Sequence, residues 1–276
     1  MHISICKNNC KKIGGYILAI PKIIHYVWLG GKEKPQLFYK CLESWKKFCP
    51  DYKIIEWNES NFDFSKSRYA KEAYSQKKWG FVPDYIRAKV LYDYGGFYLD
   101  TDVELTKPLD DLLENEFLIS FENEVYLETA VLGSIAGHPF LKRMCDFYIE
   151  QPFIKKNGEL DVTPSTPIWT CFLQRYYNLK LKASNQLLTD VENMEAPKVT
   201  VYNYDYFCPI NYTTKKLNKT DNTYAIHYFD ASWFSGKLKT REKFLRFVYY
   251  LVGKNIFASF TRTYVKSVKK KIKKYI

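Results

Sequence analysis

The run Ile23-Ile24-His25-Tyr26-Val27-Trp28, stopped by Gly30-Gly31, constrains the fold more than any other segment. A strand without polar alternation has two faces to bury, the signature of a parallel sheet covered by helices on both sides. It should therefore be central. Leu37, Cys41, Trp45 and Phe48 then recur at helical spacing within 35–48, Cys49-Pro50-Asp51 ends that helix, and 52–57 reads as a second strand. A strand, a helix of about four turns and a strand make a right-handed βαβ unit with parallel strands.

The alternation continues, which makes the fold class α/β. Pro83 suits a first helical turn, Ile86, Val90 and Tyr94 hold one face, and Gly95-Gly96 closes the helix before Phe97-Tyr98-Leu99. Residues 117–121 and 129–135 read as strands, His138 as a turn residue, and Phe140, Met144, Phe147 and Tyr148 as one face of a helix. The stretch 151–200 holds Pro152, Pro164, Pro167 and Pro197 and has no clear period, while 223–227 reads as a last strand.

Asp100 and Asp102 follow the third of these strands, one residue apart. Residues i and i+2 of a strand project to the same face, so an extended backbone points both carboxylates at one spot. Two hard oxygen ligands of this kind suit Mn²⁺ or Mg²⁺, commonly completed by the phosphates of a substrate. A nucleotide diphosphate is the partner expected. Ligands of α/β sheets bind at the carboxyl ends of strands, and three other features can reach such a crevice. Trp28-Leu29-Gly30-Gly31 offers an aromatic for a base and a close backbone. Asp84 and Arg87 share one helical face and offer an acceptor and a fork of donors to a sugar. His227 can add a nitrogen ligand, and Ser232 and Trp233 can donate to phosphate. His25 reads as core, and Glu122, Glu124 and Glu128 as a solvated acidic loop with an acceptor-facing role as the alternative.

The net charge of +12 is not spread evenly. Thirteen of the 42 Lys/Arg and one of the 30 Asp/Glu lie after position 236, so the preceding body is neutral. In that tail Phe257, Phe260, Tyr264, Val268 and Ile272 step by three or four among lysines. A basic amphipathic helix suits an anionic membrane surface; the alternative is a terminal helix packed on the body. Basic residues confined to one terminus, without a recognisable module, exclude nucleic acid as the expected partner. No apolar run approaches the ~20 residues of a membrane span, and 13–20 is read as a lead-in to the fold rather than a signal peptide. Seven scattered cysteines without paired Cys-x-x-Cys motifs point to a reduced, cytoplasmic setting.

Three spaced motifs, Val27-Trp28-Leu29-Gly30-Gly31, Asp84-Tyr85-Ile86-Arg87 and Gly95 through Asp102, resemble the family 32 glycosyltransferases of the Asp-x-Asp sugar-binding class, which include initiating mannosyltransferases and capsule enzymes. They are more distantly similar to the glucosylating clostridial cytotoxins. The resemblance covers Ile20 to Leu105 and thins beyond. It implies a GT-A fold, a Rossmann-like mixed sheet flanked by helices, over 1–236, with 237–276 as a basic amphipathic tail. It also implies a nucleotide-sugar donor, Mn²⁺ or Mg²⁺, and transfer with retention. Trp28 would stack on the base, with Val27, Leu29, Tyr98 and Thr101 lining the donor pocket. Asp84 and Arg87 would hold sugar and ribose hydroxyls, Asp100 would bridge ribose and metal, Asp102 and His227 would bind the metal, and Ser232 and Trp233 would meet the diphosphate. The expectation is a peripheral enzyme on the cytoplasmic face of the membrane, extending a glycan on a lipid carrier for a surface polysaccharide. Rival readings are a haloacid-dehalogenase-type phosphatase, whose nucleophile strand resembles 98–103, a toxin-like protein glycosyltransferase, and an inactive sugar-binding scaffold.

Overall fold

The computed structural model describes residues 19–230 and 259–276, with the backbone of two short paired strands, β1 (Lys12–Ile13) and β2 (Tyr16–Ile17). β3 (Ile23–Val27) is buried at every position. α1 (Gln36–Phe48) leaves Pro35 at its N-cap and buries Phe38, Cys41 and Trp45; the chain then returns as β4 (Lys53–Trp57), parallel to β3. α2 (Arg68–Ser75) and α3 (Pro83–Tyr94) lead to β5 (Gly96–Leu99), the other parallel neighbour of β3. The βαβ unit is present; the first apolar run is an interior strand flanked by β4 and β5, but it lies second from the edge of the sheet rather than at its centre.

The remaining strands are β6 (Val103–Leu105), β7 (Phe117–Ser120), β8 (Val131–Ser134), β9 (Gln186–Leu188), β10 (Val199–Tyr202) and β11 (Ala225–His227), with helices α4 (Pro139–Glu150) and α5 (Ser165–Tyr176) among them. The seven-stranded sheet has the order β4-β3-β5-β8-β7-β10-β9. β8 and β9 run against the other five strands. It is a Rossmann-like mixed sheet flanked by helices, as a GT-A fold requires. A second, two-stranded ladder pairs β6 with β11 and sets His227 opposite Val103.

α5 occupies part of the stretch where the sequence shows no period. Its prolines sit at the N-cap (Pro164) and in the first turn (Pro167), where the backbone N–H that proline lacks has no helical partner anyway. His138 caps α4, its Nδ1 accepting from Phe140 N–H at 3.2 Å.

Two contacts of the Gly95-Gly96 turn bear on the site. Gly95 has φ +64° and Gly96 φ +101°, and a β-carbon on Gly96 would lie 2.7 Å from the Ile23 carbonyl oxygen. Only glycine lets the helix turn this tightly into β5. His25 secures the same corner from the core: Nε2–H donates to the Gly95 carbonyl (2.8 Å) and Nδ1 accepts from Trp57 (3.0 Å). Burial lowers its pKa to about 4, so the ring is neutral.

Residues 259–271 are helical. Val265, Val268 and Ile272 are buried in the main core, whereas Phe260 is 61% exposed and Tyr264 36%. Lys271 pairs with Asp161, and Tyr275 meets the Phe147 ring edge-on at 5.1 Å. This part of the tail packs on the body, and the buried stripe includes Val265 rather than Tyr264 and Phe260. Position 236 and residues through 258, including Phe257, lie outside the described residues. Among the described residues no helix is long and apolar enough to cross a membrane.

Candidate active site

The chain leaves β5 at Leu99 and turns through Asp100-Thr101-Asp102, with Val103 N–H bonded to the Asp100 carbonyl at 3.1 Å, before β6 begins. The aspartates therefore stand on a turn, not on the extended strand that the spacing implied. The cause is pairing: Asp100 N–H makes a last bond to the Ala130 carbonyl (2.8 Å), after which β6 must leave the large sheet to join β11. The turn still brings the carboxylates together. Oxygens of Asp100 and Asp102 and a ring nitrogen of His227 all lie within 4.8 Å of one another.

The β6–β11 register delivers the histidine. His227 lies opposite Val103, next in sequence to Asp102, and its Nε2 is 3.5 Å from Asp102 Oδ1. The other Asp102 oxygen accepts from Asp230 N–H at 2.9 Å. On the far side of the ring, Nδ1 stands 2.7 Å from Glu128 Oε1. Burial opposes charge on the imidazole, but Asp102, Cys208 and Glu128 outweigh it and hold the His227 pKa well above its ordinary value. Burial pulls the Asp102 pKa up, and the histidine together with the Asp230 N–H brings it below the usual range.

Arg87 forms the other wall. α3 lies against β3, β5, α2 and α4, so its charged pair is inside: Asp84 is 3% exposed and Arg87 4%. The guanidinium lies 3.4 Å from Asp84 Oδ1 and 3.5 Å from Asp100 Oδ1, donates to the Thr129 carbonyl at 2.5 Å, and sits 4.8 Å over the Tyr98 ring. Tyr98 donates to Asp100 Oδ1 (2.8 Å), and Tyr69 to Asp84 Oδ2 (3.2 Å). Burial pushes the Asp84 carboxyl up to about 6 against the pull of Arg87.

Asp84, Arg87, Tyr98, Asp100, Asp102 and His227 thus form one connected cluster. Trp28 follows β3, the strand beside β5; it is half-buried, and its indole N–H donates to the Lys32 carbonyl at 2.7 Å. Val27 and Leu29 turn their side chains into the core, and Thr101 is half-buried at the turn. Ser232 and Trp233 lie outside the described residues.

Glu128 departs from the solvated loop expected of it: it is 1% exposed. The backbone explains why. Glu128 N–H donates to the Ser120 carbonyl (2.8 Å), doubling the segment back onto the end of β7. Cys208, 1% exposed, closes the same side, and Glu128, Cys208 and His227 place donor atoms within 4.8 Å of one another. Glu122 and Glu124 instead help line a cavity of about 100 Å³ that also touches Cys208, Tyr204 and Asn211. Nothing in the local sequence period marks Glu128, Thr129 or Cys208; their signal is a long-range one.

Two carboxylates and one imidazole form an oxygen-rich set that suits Mn²⁺ and tolerates Mg²⁺. The residues present therefore fit a divalent cation held by Asp100, Asp102 and His227.

Residues 35–118 match the model of the glycosyltransferase sugar-binding region containing a DXD motif. Inositol phosphoceramide mannosyltransferase 3 of Schizosaccharomyces pombe is 30% identical over 131 residues, 45% of this chain and 35% of that protein. Mannosyl phosphorylinositol ceramide synthase SUR1 of Saccharomyces cerevisiae is 31% identical over 134 residues, 44% and 32% of the two chains. An uncharacterized glycosyltransferase, L373, of Acanthamoeba polyphaga mimivirus is 30% identical over 165 residues, 53% of this chain and 61% of that one. The chain thus spans about a third of the length of the fungal relatives it matches. Among solved structures, the PaToxG glycosyltransferase covers 57% of this chain and 69% of its own at 19% identity and TM-score 0.44. The glycosyltransferase GlyE of Streptococcus pneumoniae TIGR4 covers 90% and 64% at 12% identity and TM-score 0.42.

Proposed function

We propose that this chain, whose residues 35–118 match the DXD-containing glycosyltransferase sugar-binding region, is a metal-dependent retaining hexosyltransferase. It moves a sugar from a nucleotide-sugar donor to a glycan acceptor. The observation that carries the reading is the meeting of Asp100, Asp102 and His227 within 4.8 Å, beside a buried Arg87.

A divalent cation bound there supplies charge stabilisation for the leaving diphosphate. The chain's own residues supply the rest. Arg87, buried among Asp84, Asp100 and the Thr129 carbonyl, is a fixed positive charge that cannot swing away from the donor. Tyr98 fixes one Asp100 oxygen and leaves the rest of that carboxylate for ribose or cation. Asp84 is already engaged by Arg87 and Tyr69, which makes it a poor nucleophile for double displacement. Front-face substitution is the mechanism favoured: the leaving phosphate takes the acceptor proton as the sugar C1–oxygen bond breaks.

On the acceptor side, the cavity beside Cys208 offers carboxylates, amides and a tyrosine, groups suited to sugar hydroxyls. The acceptor proposed is a glycan on a lipid carrier, in surface polysaccharide synthesis, with the enzyme peripheral on the cytoplasmic face. The exposed lysines of the C-terminal helix support that location. The fungal relatives are named for mannose transfer to a phosphoinositol ceramide, so GDP-mannose belongs in the donor panel beside the UDP-sugars.

The test is hydrolysis of nucleotide sugars without acceptor, in Mn²⁺, Mg²⁺ or EDTA, with the anomer of the released sugar read by NMR. Mn²⁺-dependent release of a retained anomer is expected. An inverted anomer removes the retaining mechanism, and phosphate release from monoesters without nucleotide-sugar turnover installs the phosphatase instead.

A further inference from the structure

Three consecutive residues between β7 and β8 organise the whole site. Glu128 faces His227, the Thr129 carbonyl accepts from Arg87, and the Ala130 carbonyl accepts from Asp100 N–H. Two of these contacts are made by backbone carbonyls. The first is not.

We infer that Glu128 is a positioning residue that sets the orientation and tautomer of His227, so that Nε2 faces the cation site. The inference rests on the metal-dependent reading above and adds a residue to it. Glu128 Oε1 lies 2.7 Å from Nδ1, a buried ion-pair contact rather than a hydrogen bond of ordinary geometry, with Cys208 beside both groups. The opposite ring nitrogen is the one 3.5 Å from Asp102 Oδ1. A carboxylate this close to Nδ1 favours the proton on that nitrogen, which leaves the Nε2 lone pair for a metal and makes it more basic, as carboxylates behind ligating histidines do. The ring is also restrained on its face by Phe229, whose centroid is 4.0 Å away. Glu128 itself is held: its backbone N–H donates to the Ser120 carbonyl at 2.8 Å, and the Ser120 hydroxyl lies 3.4 Å from Oε2. Its carboxylate stands on the Nδ1 side of the ring, away from the cation site, so it acts through the histidine.

The experiment measures Mn²⁺ binding to the substrate-free protein by EPR, for wild type, Glu128→Ala, Glu128→Gln, His227→Gln and the Glu128→Ala/His227→Gln double variant. Loss of such a supporting group weakens metal binding by about 10- to 100-fold. Glu128→Ala is expected in that range. Glu128→Gln, which keeps the shape and an acceptor oxygen, is expected to lose less and serves if the alanine variant does not fold. The double variant is expected to bind no more weakly than His227→Gln alone. In ¹⁵N NMR of histidine-labelled protein loaded with Mg²⁺, the Nδ1–H signal missing from the His227→Gln spectrum is expected in wild type and should shift in both Glu128 variants. Wild-type affinity in Glu128→Ala and Glu128→Gln overturns the inference, as does an equal further loss in the double variant. A wild-type protein that binds no divalent cation overturns instead the metal-dependent reading, and the positioning role with it.

Discussion

The site is assembled from two regions with different logic. Residues 23–105 supply Trp28, Asp84, Arg87, Asp100 and Asp102 from α3 and from the turns at the ends of β3 and β5, elements that follow one another closely in the chain. Residues 121–130 and 205–230 supply Glu128, Thr129, Cys208 and His227 from irregular backbone and one short strand. The first region presents charge; the second holds that charge in place, through the Thr129 carbonyl on Arg87, the Ala130 carbonyl on Asp100 and Asp230 N–H on Asp102. A catalytic motif read from one stretch of sequence is therefore only half of a working site.

The comparison breaks most visibly at Asp102. Asp102→Ala removes a carboxylate from the cation site and is expected to lower turnover by about 10³-fold, the several kcal/mol that charge stabilisation by a metal contributes. Urea unfolding of the same variant should lose a smaller amount, about 1–3 kcal/mol, because Asp102 also pairs with His227 and accepts from Asp230 N–H. Normal turnover would mean that the first region does not carry the chemistry.

Arg87 tests the joint between the regions, and there the effect falls on stability. Arg87→Ala leaves Asp84 buried without its partner, a change that typically costs about 3–5 kcal/mol. Adding Asp84→Asn should restore part of that loss by removing the stranded charge. If Arg87→Ala unfolds at the wild-type urea concentration, the guanidinium is not the strut that its contacts with Thr129, Asp84 and Asp100 describe.

Legibility follows the same division. Within residues 23–105, apolar runs, helical spacing and Gly95-Gly96 are local signals, and they locate β3, α1, β4, α3 and β5 because each rule acts over a few residues. Most of the match to the DXD family model, residues 35–118, lies in this part as well. The spacing of Asp100 and Asp102 reads as extended, whereas their turn follows from the pairing of β6 with β11, over a hundred residues later. Glu128 looked like a loop acid because its burial depends on Ser120 and His227. α5 was hidden by prolines that a first helical turn accommodates.

The C-terminal helix gives the smallest effect and the finest test. Its sequence fitted two accounts, an apolar face for a membrane or one for the body, and Val265, Val268 and Ile272 are buried against the body. Any membrane contact in this part is then left to exposed groups such as Phe260, Lys266, Lys269 and Lys270. Each lysine near an anionic surface contributes about 1 kcal/mol, so Lys270→Gln should weaken binding to phosphatidylserine-rich vesicles about fivefold, less so as salt is raised. Its unfolding should be unchanged, whereas Ile272→Ala should lose about 2–5 kcal/mol of stability, as truncated core isoleucines do. Equal vesicle binding by Lys270→Gln and wild type at low salt would leave this helix a structural clasp and move the membrane proposal off its described residues.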